Sequence, residues 1–150
     1  MFLNLSFEPL KLNDCHILCD WLQLDHVKLF WDDGDRNLEQ VINHYMAQDS
    51  TKRFLFYLNQ SPAGYIQTYI ISNTKIGIDF FIGNTNFFEK EYATSILNEF
   101  IRRYHRNKTI IVDPEINNHK AIHIYQKAGF IKSKEFTSAG KNYQLMIKNG

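Results

Sequence analysis

Residues 108–130, KTIIVDPEINNHKAIHIYQKAGF, constrain the fold more than any other stretch, because strand, polar turn and helix follow one another directly. Thr109, Ile110, Ile111 and Val112 form a β-branched run suited to a buried strand, and Asp113-Pro114 ends it because proline has no ladder donor. Asn117 or Asn118 can cap the next helix. Ala121, Ile122, Tyr125 and Ala128 then recur at helical spacing before Gly129 permits a left-handed exit and Phe130 restarts an extended segment.

The remainder of the chain supplies elements of the same kinds. Leu3 to Leu10 reads as a first strand. Asn13 or Asp14 can cap a helix through Ile17, Leu18, Trp21 and Leu22. Val27 to Trp31 leads into the turn-like Asp32-Asp33-Gly34-Asp35, and Leu38 to Met46 repeats at helical spacing through Val41, Ile42 and Tyr45. Arg53 to Leu58 and Ala63 to Ile71 read as a hairpin turning at Asn59-Gln60-Ser61-Pro62. From Ile76 to Gly83, alternation puts Ile76, Ile78, Phe80 and Ile82 on one face and Gly77, Asp79, Phe81 and Gly83 on the other. Tyr92, Ile96, Leu97, Phe100, Ile101 and Tyr104 mark an amphipathic helix, and Asn142 to Ile147 a closing strand. The expected order is strand, two helices, three strands, helix, strand, helix, two strands. That order describes a mixed sheet flanked by helices, an α/β or α+β fold.

A chain of 150 residues with 44% hydrophobic and 15% aromatic content can bury one sizeable core, so residues 1–150 are expected to form a single domain. The formal charge of +1, from 17 basic and 16 acidic side chains, argues against a nucleic-acid partner. No apolar run approaches the roughly 20 residues of a membrane span, and the N-terminus lacks the pattern of a secretory leader, which implies a cytoplasmic protein. Cys15 and Cys19, one helical turn apart, read as neighbouring reduced thiols. His119 and His123 share a helix face without a third ligand, so no metal is expected, and no Ser-His-Asp or Cys-His arrangement suggests a hydrolase.

Asn118-x-x-Ala121 followed by Ile124-Tyr125-x-Lys127-Ala128-Gly129-Phe130 resembles the last block of the GCN5-related N-acetyltransferases (GNAT). Within that superfamily the likeness is closest to aminoglycoside 6′-N-acetyltransferases and related siderophore-type acetyltransferases. It is carried by His26-Val27 with Trp31, Gly64-Tyr65-x-Gln67-x-Tyr69, Gly77-Ile78-Asp79 and Asp113-Pro114. The resemblance implies a GNAT fold, with about four helices around a sheet whose two central parallel strands splay apart. It also implies acetyl-coenzyme A as cofactor, direct transfer to a small-molecule amine, and a monomer or homodimer. Phe80, Phe81 and Ile82 would lie along the pantetheine arm. Phe88, Glu89, Lys90, Glu91, Tyr92 and Ala93 would form the pyrophosphate loop, with Asn118, Ala121 and Lys127 as further cofactor contacts. Tyr125 would protonate the departing thiolate, and Asp79 would lie at the reacting amine.

Physical chemistry bears on these roles separately. A carboxylate inside IGIDFFIG is costly to bury without a partner, so Asp79 either meets a substrate ammonium or forms a structural salt bridge. Asp113 ends the neighbouring strand, and Asp32 and Asp33 follow Trp31. Acids beside aromatic faces suit a polycationic amine or amino sugar, with Gln67 and Tyr69 adding hydrogen-bonding groups. For Asp32 and Asp33, a turn or helix cap is the competing role.

Two stretches depart from the family pattern. Where the cofactor loop has a glycine this chain has Glu91, and Phe88 occupies the basic or amide position; of the expected residues only Ala93 conforms. Misdirected carboxylates beside a polyanion repel by about 1 to 4 kcal/mol at close range, and Asn86-Phe87-Phe88-Glu89 also reads as a capping box. A catalytically silent binding protein using the same acidic cleft is therefore the second reading. Ser72-Asn73-Thr74-Lys75 is a short turn where the aminoglycoside enzymes carry a longer insertion. That leaves a smaller amine, a polyamine, a peptide N-terminus or a hydroxylamine-type precursor as further acceptors.

Overall fold

The computed structural model describes residues 4–88 and 90–149, with the side chains of Lys90 and Glu91 outside the described set. The chain runs β1 (Leu5–Pro9), α1 (Cys15–Leu22), α2 (Asp25–Lys28), α3 (Leu38–Tyr45), β2 (Lys52–Leu58), β3 (Ser61–Ile70), β4 (Lys75–Ile82), α4 (Lys90–Tyr104), β5 (Thr109–Val112), α5 (His119–Lys127), β6 (Ile131–Ser138) and β7 (Lys141–Asn149). The strand order is β1-β2-β3-β4-β5-β7-β6. The β4–β5 pair is parallel, while β1–β2, β2–β3, β5–β7 and β6–β7 are antiparallel. The expected α/β order is reproduced with one addition, the single-turn helix α2 inside the segment read as Val27 to Trp31.

Contacts divide the chain into two compact units, Met1–Thr68 with Asp79–Phe88 and Tyr69–Ile78 with Glu89–Gly150. In the first unit, α1 turns Cys15, Leu18, Trp21 and Leu22 into a core shared with Val41 and Tyr45 of α3, Leu55 of β2 and Tyr65 of β3. Each large apolar side chain buried there contributes roughly 1.5 to 3 kcal/mol. Entry to α1 differs from expectation. Residues Leu12–Asp14 form a 3₁₀ turn, and the Asp14 carboxylate accepts from the Lys11 amide (2.9 Å) instead of capping α1. The β2–β3 turn is also tighter than expected. Asn59 (φ 50°) and Gln60 (φ 71°) make it by themselves, as a two-residue hairpin requires, so Ser61 and Pro62 already belong to β3. Pro62 is tolerated because it pairs with Tyr57 where the register shifts and a ladder donor is dispensable.

In the second unit, the parallel register joins Lys75 to Thr109, Ile76 to Ile110 and Gly77 to Ile111. Helix α4 buries Ala93, Ile96, Leu97, Phe100 and Ile101 along one stripe, the spacing its sequence announces. Helix α5 begins at Asn118, whose side chain accepts from the Ala121 amide (3.2 Å), and buries Ile122, Ile124 and Tyr125. Its end is a Schellman motif. The Phe130 amide donates to the Tyr125 carbonyl and the Gly129 amide to the Gln126 carbonyl, both at 3.0 Å, around Gly129 at φ 102°. Strands β6 and β7 form a hairpin turning at Ala139 and Gly140, both with positive φ, and β6 is exposed along most of its length.

Candidate active site

Within the first unit, β2 and β3 run antiparallel with Arg53 opposite Gln67 and Leu55 opposite Tyr65, which puts these four side chains on one face. The Tyr65 hydroxyl donates to Gln67 Oε1 (2.7 Å), and Gln67 Nε2 donates to Asp79 Oδ2 (3.2 Å). Asp79 is half-buried on β4, so the carboxylate inside an apolar strand has a hydrogen-bonding partner. Two residues further on, Phe81 meets the rings of Trp31 (5.0 Å), Tyr65 (5.7 Å) and Trp21 (6.4 Å). The alternation expected along β4 therefore holds. A side chain at Gly83 would overlap Trp21, its Cβ falling 2.2 Å from the indole, so the last position on this face must lack one.

Trp31 is half-buried and its Nε1–H donates to the Tyr45 hydroxyl (3.0 Å), which anchors the indole to α3. Asp32, expected at the substrate, is engaged in its own turn: its oxygens accept from both Arg36 nitrogens (2.8 and 3.1 Å) and from the Gly34 amide (3.0 Å). The Arg36 hydrogen bond, with help from Gly34, holds the Asp32 carboxyl below the usual range. Asp33 behaves differently. The protein surrounding its carboxyl raises its pKa, Asp35 and Asp32 add to the rise, and His44 opposes it. Asp35 itself contacts His44 Nδ1 at 2.6 Å, and the His44 ring lies 4.2 Å from that of Tyr45. At the far end of β4, His26 Nε2 lies 3.1 Å from the Ile82 carbonyl, and its ring meets Phe88 edge-on at 4.6 Å. Phe80 and Ile82 are half-buried.

Within the second unit, Tyr125 is 7% exposed and its ring packs on Phe130 at 5.5 Å, the apolar contact that accompanies a Schellman end. Lys148 of β7 completes that end by donating to the Ala128 carbonyl (2.6 Å) and to Asn98 Oδ1 of α4 (3.0 Å), a favourable place for a cation. Asn118 and the Ala121 amide, expected at the cofactor, are joined to each other as the α5 cap. Lys127 is exposed, Tyr92 half-buried and Ala93 buried. Tyr69 lies across Gly77, where an added Cβ would sit 2.2 Å from its ring. Asp113 is half-buried, and burial raises its carboxyl above the ordinary range.

The stretch read as a capping box is arranged otherwise. Asn84 accepts from the Asn86 amide (3.0 Å) at the start of a 3₁₀ turn, Thr85–Phe87, so Asn86 lies inside that turn and not at the head of α4. The expectation placed on Glu89 lies outside the described residues, as do the side chains of Lys90 and Glu91. In the second unit, parallel pairing of β4 with β5 ends at Gly77 and Ile111. Among the described residues no group of three or more His, Cys, Asp or Glu could hold a metal ion, and Cys15 and Cys19 are free thiols raised above their ordinary pKa chiefly by burial.

Sequence reasoning assigned no role to Tyr65, Arg53, Tyr45 or Lys148. Tyr65 had a usable signal, since it lies two positions before Gln67 on the same strand face. Lys148 had none, because its partners are 20 and 50 positions away.

Comparison with known proteins identifies the family. Aminoglycoside N(6')-acetyltransferase type 1 from Klebsiella pneumoniae is 24% identical over 147 residues, covering 84% of this chain and 73% of the relative. The crystal structure of aminoglycoside acetyltransferase AAC(6')-Ib in complex with coenzyme A superposes with a TM-score of 0.84 at 25% identity, covering 97% of this chain and 95% of that one. The same enzyme with coenzyme A and kanamycin gives 0.83 at 25% identity, again over 97% and 95%. The family described as "Acetyltransferase (GNAT) domain" matches residues 11–138, which run through both units and most of the chain. GNAT enzymes use acetyl-CoA, and the comparisons favour an enzyme over a silent binding protein. On the strength of that match, the chain belongs to the GNAT acetyltransferase family.

Proposed function

We propose that this protein transfers the acetyl group of acetyl-CoA directly to an amine of a small polycationic acceptor, an amino sugar of the aminoglycoside kind, with residues 1–150 acting as one catalytic domain in the cytoplasm. One observation carries the acceptor class: a carboxylate at the middle of β4, supported by Gln67 and sharing a strand face with Phe81, whose ring meets that of the half-buried Trp31. Such a surface pairs an ammonium-seeking charge with flat faces that take up a sugar ring or a second cation. The AAC(6')-Ib complex with coenzyme A and kanamycin supports the same class.

In this reading Asp79 holds the ammonium and directs its proton to water or to the carboxylate itself as the nitrogen becomes nucleophilic. Tyr125 would donate its phenolic proton to the departing thiolate, the general-acid task of the transfer. Backbone amides of Phe80, Phe81 and Ile82 would hold the pantetheine arm, and the amides opening α4 the pyrophosphate. Acetyl-CoA, when bound, supplies the activated acyl group.

The test is acetylation of a panel of kanamycin, ribostamycin, spermine and a peptide amine, followed by thiol release and mass spectrometry. Acetylation of the amino sugars with the highest kcat/KM supports the proposal. Coenzyme A binding with turnover confined to the peptide amine would remove the acceptor class while leaving the transferase.

A further inference from the structure

The hydrogen bonds behind Asp79 have a direction. A glutamine side chain has one accepting end and one donating end, and which way it points is decided by its partners. Asp79 decides it here, because a carboxylate only accepts, whereas the hydroxyl of Tyr65 can donate or accept and so anchors whichever end is left to it; here that is the oxygen, held by Tyr65. Its ring is fully buried among Tyr45 (5.3 Å), Trp31 (5.7 Å) and Phe81 (5.7 Å). Burial raises the phenol's pKa, with Arg53 opposing the rise, so the hydroxyl keeps its proton. That proton goes to Gln67 Oε1, and the amide nitrogen faces Asp79. A flipped amide would set its oxygen against the carboxylate, acceptor against acceptor. Arg53, the register partner of Gln67, is fixed in turn by Asp49 through two 3.0 Å contacts.

We propose that Gln67 is a positioning residue, its Oε1 anchored from the core by the Tyr65 hydroxyl, that presents a donor to Asp79 Oδ2 and so holds the carboxylate in the orientation in which it meets the amine. This rests on the reading of Asp79 as the amine-facing acid. Gln67, expected from sequence as a substrate contact, thereby acts through another residue.

Steady-state kinetics with acetyl-CoA and kanamycin, or spermine where its turnover is higher, tests the proposal through Gln67→Ala, Gln67→Glu, Tyr65→Phe, Asp79→Asn and the double variant Tyr65→Phe/Gln67→Ala. Gln67→Glu, nearly the same shape but without the donor, should lower kcat/KM for the amine more than Gln67→Ala does, the reverse of what packing alone predicts. Tyr65→Phe should cost about fivefold in the wild-type background and almost nothing once Gln67 is alanine, because the two act as one unit. KM for acetyl-CoA should stay put throughout. A second readout does not need turnover: the side-chain NH₂ resonance of Gln67 in ¹⁵N-labelled protein should move in both Asp79→Asn and Tyr65→Phe.

Equal cost of Tyr65→Phe in both backgrounds, or an amide resonance indifferent to both substitutions, overturns the relay. If Asp79→Asn leaves amine kinetics untouched, the underlying role of Asp79 fails and the proposal with it. If Asp79→Asn is damaging while Tyr65→Phe and Gln67→Ala multiply independently, only the relay fails.

Discussion

The two residues on which transfer is proposed to rest are held by different kinds of bond. Asp79, in the first unit, is reached through side chains: Tyr65 donates to Gln67, and Gln67 donates to Asp79. Tyr125, in the second, is held by main chain, because its own carbonyl closes the Schellman end of α5 while its ring packs on Phe130. A side-chain relay can be cut by replacing one functional group without unravelling an element. A helix end cannot, since its carbonyls must be satisfied wherever they are removed from water. The orientation of Asp79 therefore rests on groups that can be replaced singly, and the placement of the Tyr125 ring on a helix end that cannot.

The largest effect that would sharpen this contrast is expected from Tyr125→Phe, which removes the hydroxyl but keeps the ring on Phe130. Turnover should fall about 100-fold with coenzyme A affinity and thermal midpoint nearly unchanged, as measured by kinetics, calorimetry and thermal unfolding. Unchanged turnover would take Tyr125 out of the chemistry. Asp79→Asn should follow, lowering kcat/KM for the amine about 30-fold, equivalent to roughly 2 kcal/mol, while KM for acetyl-CoA holds. Equal damage to both substrates would blur the separation between the units. Lys148→Met should cost about 1 to 2 kcal/mol of stability by leaving the Ala128 carbonyl without its charged donor, read from denaturant unfolding. A loss of turnover larger than the loss of stability would show that the helix end tunes Tyr125 directly. Glu91→Gly should tighten coenzyme A by about fivefold in calorimetry, as expected for removing roughly 1 kcal/mol of repulsion. No change would mean that the acid points away from the phosphates. Asp32→Asn should alter amine kinetics by less than about twofold, since its carboxylate is already taken up by Arg36 and Gly34 in an exposed turn.

Much of this arrangement was legible beforehand, for physical reasons that differ by residue. The α5 boundaries could be read because Asn118 and Gly129 act locally, as a cap and a left-handed exit. The two faces of β4 could be read because period-2 alternation admits few alternatives around Asp79. Asp14 misled because its carboxylate satisfied a nearer amide, that of Lys11, and sequence does not rank two local partners. Ser61-Pro62 misled because a proline is tolerated in a strand where the register shifts, and register belongs to pairs of strands. Gln67 was found as a polar residue, but its bond to Asp79 was not, since it spans 12 positions and depends on β3 and β4 lying together. Lys148 was out of reach for the same reason at longer range.

The Schellman end of α5 has one more consequence. With the Tyr125 carbonyl bonded to the Phe130 amide and its ring lodged on the next apolar residue, the phenol has little torsional freedom left to surrender when reactants arrive. The ordering is completed during folding, so the ring placement on which the proposed proton donor depends need not be bought again at each encounter.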